Sequence, residues 1–149
     1  MSKYKMVLDE KRCIHCKACE VHCKVRNNNP VGIKFAKHFS EGPFLKDGKI
    51  ELQATFRSCY HCDEPPCVAD CPVEAMIRRE SDGIVYVDQE LCIGCECCTK
   101  VCPWNVPQLF TELDVVGKCD LCMDRLDAGL QPACVTACTT HALKLVRIE

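Results

Sequence analysis

Apolar and polar positions alternate in short runs along this chain and never settle into a long helical period. Tyr4, Met6 and Leu8 share one face of an extended segment, and Leu143, Leu145 and Arg147 do the same over 143–148. These two terminal segments are expected to pair. Ala75–Arg79 and Ile84–Val87 are short extended runs joined across Glu80-Ser81-Asp82-Gly83, whose Asp-Gly step is a strong hairpin signal. A third hairpin is expected over Phe44–Ile50, turning at Asp47-Gly48, with Glu51–Phe56 running on from it. Helices should be short. Cys19/Cys23, Cys67/Cys71, Cys98/Cys102 and Cys134/Cys138 stand one turn apart, so each pair is expected to begin and end a helix. No apolar stretch approaches the roughly 18 residues of a membrane span. The pattern predicts an α+β chain of short helices and small antiparallel hairpins.

Composition changes this picture, because 17 of the 149 residues are cysteine while aromatics make up only 6%. The cysteines fall in runs: Cys13, Cys16, Cys19, Cys23; then Cys59, Cys62, Cys67, Cys71 followed by Pro72; then Cys92, Cys95, Cys98, Cys102 followed by Pro103; then Cys119, Cys122, Cys134, Cys138. This is iron–sulfur ligand spacing, and four quartets are what four [4Fe-4S] clusters need. Disulfides fit poorly, since the count is odd and the polar Met1–Lys11 stretch has neither an apolar core nor a twin arginine that would mark export. A cytoplasmic protein is expected. A zinc-stabilised interaction module is the stronger competitor, because CxxC pairs also build structural zinc sites. The fourth run alone could pass for one. The other three crowd four cysteines into eleven or thirteen residues, and the CxxxCP ending seen twice belongs to ferredoxin-type runs.

With so little aromatic core, the clusters should replace much of the missing packing, and the iron-free chain should fold poorly. The formal charge of -2 is misleading. Each oxidised cubane with its thiolates carries about -2, so the loaded chain is on the order of eight charges more negative than its thiol form. No basic stripe with interleaved aromatics offsets that charge, which excludes nucleic acid as a partner.

In a two-cluster ferredoxin three closely spaced thiolates wrap one cluster, and a helix carries the fourth to its neighbour. Pairing the second and third runs across the Asp82-Gly83 hairpin therefore groups Cys59, Cys62, Cys67 with Cys102, and Cys92, Cys95, Cys98 with Cys71. The first and fourth runs are left to pair, as Cys13, Cys16, Cys19 with Cys138, and Cys119, Cys122, Cys134 with Cys23. One ferredoxin-like double-cluster module is thus inserted within another. The inner module is expected over about 55–108 and the outer over about 1–54 plus 109–149.

These residues resemble the four-cluster electron-transfer subunits of molybdenum and tungsten oxidoreductases, including those of dimethyl sulfoxide reductase, polysulfide reductase, formate dehydrogenase and tungsten aldehyde oxidoreductases. The likeness covers nearly the whole chain. It rests on Cys59-Tyr60-His61-Cys62-Asp63-Glu64-Pro65-Pro66-Cys67, on Asp82-Gly83-Ile84-Val85 leading to Cys92-Ile93-Gly94-Cys95, and on Lys118-Cys119-Asp120-Leu121-Cys122-Met123-Asp124-Arg125-Leu126. Thr139 stands where the family often has proline, and Trp104-Asn105 replaces a common Tyr-Gly. The resemblance implies an anaerobic, cytoplasmic relay between a large tungsten- or molybdenum-pterin subunit and a further redox subunit or ferredoxin. A free polyferredoxin shuttle is the alternative, and self-association into longer wires is a further partner reading.

Other residues take plainer readings. Cys97 breaks the spacing of its run if used as a ligand, so it is expected to be a spare. His15 and His61 sit inside cluster loops but no ligand position is vacant, which leaves packing or hydrogen bonding near sulfur. Trp104 is expected to cover a cluster from water. Lys34, Lys37, His38, Lys46 and Lys49 read as a solvated basic face, with docking to an acidic partner as the second reading. No nucleophile–base pair or phosphate loop appears, so catalysis is not expected of this chain.

Overall fold

A computed structural model describes residues 3–148; Met1, Ser2 and Glu149, the ends of the expected outer module, lie outside the described residues. Strand β1 (Tyr4–Leu8) pairs antiparallel with the last strand, β8 (Leu143–Arg147), placing Met6 opposite Leu145 and Leu8 opposite Leu143. Helix α1 (Ala18–Arg26) follows the first cysteine loop and packs against α5 (Ala133–Thr136), just ahead of β8. The middle of the chain repeats this plan. Strands β4 (Met76–Arg78) and β5 (Val85–Val87) form a hairpin, and α2 (Pro66–Ala69) packs against α3 (Cys97–Val101). The fold is α+β, two ferredoxin-like double-cluster units with one inserted in the other.

Three of the four CxxxC helices are shorter than expected, and α2, α3 and α5 each end before their run's last cysteine. At Cys71 and Cys102 the cause is the following proline, which disfavours helical torsions in the residue before it. Cys102 accordingly caps α3 in an extended conformation, at φ -75° and ψ 113°. Only α1, with no proline near its end, holds both of its cysteines, Cys19 and Cys23.

The hairpin at Asp47-Gly48 is longer than the pattern suggests. Its strands are β2 (Lys37–Lys46) and β3 (Lys49–Arg57), with a register shift between Glu41 and Phe44 where Gly42-Pro43 interrupts the pairing. Proline has no N–H for the ladder, which is why alternation over 37–46 does not announce a strand. A fourth hairpin, β6 (Gln108–Phe110) with β7 (Val115–Gly117), and the one-turn helix α4 (Met123–Asp127) go beyond the elements that the sequence pattern predicts.

Two small cores hold these elements. Cys67, Met76, Val85, Cys98 and Val116 form one, and Cys23, Phe35, Ala36 and Phe110 the other, where the Phe35 and Phe110 rings stack at 6.0 Å. Gly94 shows how tightly the third cysteine loop sits on the β6–β7 turn: it has φ +65°, and a Cβ there would lie 2.4 Å from the Asp114 carbonyl oxygen. Arg79 ties the β4–β5 hairpin to α4, donating to Asp127 at 2.8 Å while also gripping Asp82. Burial alone would push the Asp82 carboxyl up. The Arg79 bonds and the Ile84 N–H outweigh it and hold that pKa below its ordinary value.

Candidate metal centre

The first CxxC step of each of the four runs shares one backbone feature. The residue before the second cysteine is left-handed in each, with φ 58° at His15, 48° at His61, 65° at Gly94 and 55° at Leu121. For the three that are not glycine this conformation costs on the order of 1–3 kcal/mol, so its recurrence marks a shared task. In the second run the curl turns the His61 N–H toward sulfur, and strands β7 and β8 bring N–H donors to two other thiols. His61 N–H donates to Cys59 Sγ at 3.4 Å, Val116 N–H to Cys92 Sγ at 3.3 Å, and Leu143 N–H to Cys138 Sγ at 3.4 Å. Such donors favour a charged sulfur over a neutral one.

A second shared turn follows the last cysteine of three runs. Glu74, Asn105 and His141 are left-handed, and their N–H groups return to the carbonyls of Cys71, Cys102 and Cys138 at 3.3, 3.2 and 3.0 Å. Thr139, in place of proline, leaves this turn unchanged.

The thiols gather across runs rather than within them. Cys59, Cys62, Cys67 and Cys102 line a pocket of about 350 Å³, counting its mouth. Cys71, Cys92, Cys95 and Cys98 line another of about 300 Å³, with Cys97 among its lining residues. On the outer side, burial and then Cys122 push the Cys23 thiol up to about 11, while burial followed by Cys23 and Cys122 raises Cys134. Burial, and more weakly Cys138, push Cys19 up to about 11. Cys13 and Cys16 lie in the same loop, Cys16 exposed. Thiols of different runs also lie near enough to influence one another's ionisation. Cys134 feels Cys19, Cys119 feels Cys59, and Cys98 feels Cys67.

The donor chemistry fits an iron–sulfur cube better than a single ion. Among the described residues no three Cys, His, Asp or Glu side chains converge tightly enough to hold one metal ion. The thiols ring a space instead. Burial pushes the thiols of Cys19, Cys23, Cys62, Cys67, Cys98, Cys119, Cys122 and Cys134 up and favours their neutral form until a multivalent metal group supplies the opposing charge. At Cys138 burial is outweighed by hydrogen bonds, which pull the thiol down.

At His38 the structure corrects the sequence expectation of a solvated basic face. His38 is 4% exposed, and its Nε2 lies 3.4 Å from Cys13 Sγ. Its backbone N–H donates to Glu20 at 2.6 Å, and Lys34 pairs with the same carboxylate at 3.0 Å. The segment's charge run hides an inward-facing residue, since a histidine among lysines carries no separate signal. His15 donates to or accepts from Ser40 Oγ at 2.9 Å and meets the His38 ring edge-on at 5.5 Å. His61 is buried, and its Nδ1 accepts the Val85 N–H at 2.9 Å. Burial, then the nearby Lys118, hold its pKa well below the ordinary range, so the ring is neutral. The Cys97 thiol hydrogen-bonds with that of Cys95, which raises its own pKa.

Trp104 also lines the 350 Å³ pocket, its ring tilted against Tyr60 at 4.7 Å and 53% exposed. It shields that pocket on one side only. Trp104→Ala is expected to admit water, which stabilises added negative charge, and to raise the reduction potential of the adjoining site by on the order of 59 mV, a tenfold shift for one electron. Potentiometric titration followed by electron paramagnetic resonance reads this; an unchanged potential would remove the shielding role.

Comparison with known proteins agrees with this chemistry. A family model described as a 4Fe-4S dicluster domain matches residues 50–148. The chain is 43% identical to the thiosulfate reductase electron transfer subunit PhsB of Salmonella typhi, over 99% of this chain and 78% of that protein. It is 41% identical to a tetrathionate reductase subunit of Salmonella typhimurium, over 94% of this chain but only 56% of that protein. A polysulfide reductase chain of Wolinella succinogenes is 39% identical, over 95% of this chain and 74% of its own length.

Proposed function

We propose that this chain, which belongs to the 4Fe-4S dicluster family of iron–sulfur electron-transfer subunits, relays electrons between a large molybdenum- or tungsten-pterin subunit and a second redox partner. It carries four [4Fe-4S] clusters and is an electron-transfer subunit of an oxidoreductase complex, not a catalyst by itself. Each cluster, when bound, supplies a centre that gains and loses one electron at a time.

We assign the clusters to four thiol sets. The first is Cys13, Cys16, Cys19 and Cys138; the second Cys23, Cys119, Cys122 and Cys134; the third Cys59, Cys62, Cys67 and Cys102; the fourth Cys71, Cys92, Cys95 and Cys98. The observation that carries this assignment is that the third and fourth sets each line one pocket although their members come from different runs. The influence of Cys19 on the ionisation of Cys134, of Cys59 on Cys119 and of Cys67 on Cys98 supports an order of first, second, third, fourth. The proposed inner module, about 55–108, holds the third and fourth sets, and the outer segments hold the others.

The exposed surface and the family's relatives narrow the kind of partner. Leu45 and Ile50, 79% and 77% exposed beside Lys46 and Lys49 at the tip of the β2–β3 hairpin, suit a docking arm for another subunit. The thiosulfate, tetrathionate and polysulfide relatives are all parts of reductases, which favours a reductase as the catalytic partner. No helix of the described residues is long and apolar enough to cross a membrane. A reducing, cytoplasmic setting fits 17 cysteines among which no disulfide is formed.

Anaerobic purification from the native host, with iron, molybdenum, tungsten and zinc counted on the eluted complex, tests this directly. The expected result is a large pterin-metal subunit with about sixteen iron atoms on this chain. Recovery of the chain alone would favour a free shuttle, and zinc without acid-labile sulfide would overturn the iron–sulfur reading.

A further inference from the structure

Lys118 is a buried cation of a kind proteins rarely tolerate. It is 4% exposed, and its Nζ donates to two carbonyl oxygens, those of Cys119 at 2.7 Å and of Val85. Among the described residues no carboxylate forms an ion pair with it. Burying an ammonium without a compensating anion costs several kcal/mol, and two carbonyl dipoles are only a partial offset. Asp88, Glu90 and Asp120 line a second, open pocket with Lys118 without pairing with it, so the compensating charge is to be sought on the thiol side.

The surroundings of Lys118 show where that charge arises. The residue lines the 350 Å³ pocket together with Cys59, Cys62, Cys67 and Cys102, and it directly precedes Cys119 of the second set. It therefore stands at the junction of the second and third thiol sets, against the wall of the third. Its position is braced by the same residue that binds His61: the Val85 N–H goes to His61 Nδ1 and the Val85 carbonyl takes Lys118 Nζ. A neutral imidazole and a valine backbone thus hold the ammonium without competing for its charge.

The neighbouring pocket provides an internal comparison. Its wall is formed by Val73, Ala75, Met76, Val87 and Val116, it has no Lys or Arg among its lining residues, and its one noncysteine charge is the carboxylate of Glu96. Two otherwise similar thiol sets thus differ by a buried positive charge on one side and a negative charge on the other.

We propose that Lys118 is a potential-setting residue that makes the third site the easier of the inner pair to reduce, so that an electron reaching the inner module rests there before moving on. The inference rests on the cluster assignment proposed above. Reduction of a four-thiolate site adds one electron and one negative charge, breaks no bond and requires no proton; the electron comes from the adjoining site, or from dithionite in a titration. A fixed ammonium in an apolar wall favours that added charge far more than the same group in water would. Val85 and Lys118 position the charge and do not themselves carry electrons.

The test is a potentiometric titration of the full chain, loaded with iron, for wild type, Lys118→Met and Lys118→Arg. The third site is identified as the signal lost or altered in Cys102→Ser. Lys118→Met should shift its reduction equilibrium at least tenfold toward the oxidised form, a fall of about 59 mV or more, while the fourth site stays within a few-fold of wild type and Lys118→Arg restores most of the shift. A fully loaded Lys118→Met protein with the third site unmoved, or with all four sites moved equally, overturns the proposal. Should the variants fail to load, wild-type protein grown on 15N-lysine decides: the inner site reduced first should show hyperfine coupling to lysine nitrogen, and coupling confined to the other inner site or missing from both overturns it. Wild-type protein lacking its full iron and sulfide would instead overturn the cluster assignment.

Discussion

Stripping the iron from this protein is expected to abolish its tertiary structure rather than leave a folded apo form. Both small cores are built on cysteine: Cys67 and Cys98 sit in one and Cys23 in the other, and Cys122 and Cys134 are buried as well. With metal, these side chains are anchored on four sides of a rigid group; without it, they are small hydrophobes around voids. Structural metal sites contribute roughly 10–16 kcal/mol in small zinc domains. That is comparable with the whole stability of an ordinary domain, about 5–15 kcal/mol, and here four sites are lost together. Anaerobic chelation followed by near-ultraviolet circular dichroism or amide proton dispersion should show loss of fixed packing, and a cooperative unfolding transition retained by the iron-free chain would overturn this.

Any thiol burial that survives removal of the iron should be lost in alkali. Burial, ahead of every other cause, pushes the folded thiols of Cys19, Cys23 and Cys67 up to about 11 and that of Cys98 up to about 12. An unfolded thiol ionises near about 8.5. A raised thiol pKa means that the folded chain holds its protons longer, so whatever stability these groups lend is complete below about pH 8.5 and drains away as the pH rises toward about 11 to 12. Residual structure in the iron-free chain should fall between those limits.

The same dependence on metal explains how much is legible in the sequence. Cysteine spacing obeys the geometry of a rigid inorganic group, so sixteen thiols can be proposed from spacing, their crossing between runs from the two-cluster ferredoxin plan and the Asp82-Gly83 hairpin, and β1–β8 and β4–β5 from alternation and an Asp-Gly turn. Helix ends are less legible because local sterics override the CxxxC spacing: proline after Cys71 and Cys102 stops α2 and α3 early. The β6–β7 hairpin offers too little pattern, three residues a strand, to be distinguished from loop. His38 and Lys118 escape notice as site residues for a different reason. Each is a basic residue turned inward by tertiary packing, His38 onto Cys13 Sγ and Lys118 onto the carbonyls of Val85 and Cys119. A charged residue's burial is decided by what lies opposite it, which a one-dimensional pattern does not contain.

The proposed crossing of ligands between runs predicts mutant behaviour that a site-by-site reading of the sequence would get backwards. Cys102 belongs to the third run, yet it lines the pocket of Cys59, Cys62 and Cys67. Cys102→Ser should therefore perturb the site wrapped by the second run and spare the one formed by Cys92, Cys95 and Cys98; Cys71→Ser should do the reverse. Each should cost about one to four iron atoms per chain, depending on whether the altered site keeps a damaged cluster or empties. Cys97→Ser, two residues from a ligand on one side and adjacent to one on the other, should keep full iron and all four paramagnetic signals. Cys138→Ala should have the largest structural effect. Cys138 accepts the Leu143 N–H at 3.4 Å and lies between α5 and β8, close enough to Cys19 for the two thiols to feel each other. It is the link by which the C-terminal run closes onto the N-terminal loop. Losing a metal anchor of that kind costs at least about 4 kcal/mol, which in a chain of this length lowers the melting temperature by roughly 10 °C. Iron analysis with thermal melts across the four variants separates the two schemes: if Cys102→Ser instead silenced the site of Cys92, Cys95 and Cys98, each run would hold its own cluster and the nested arrangement would be wrong.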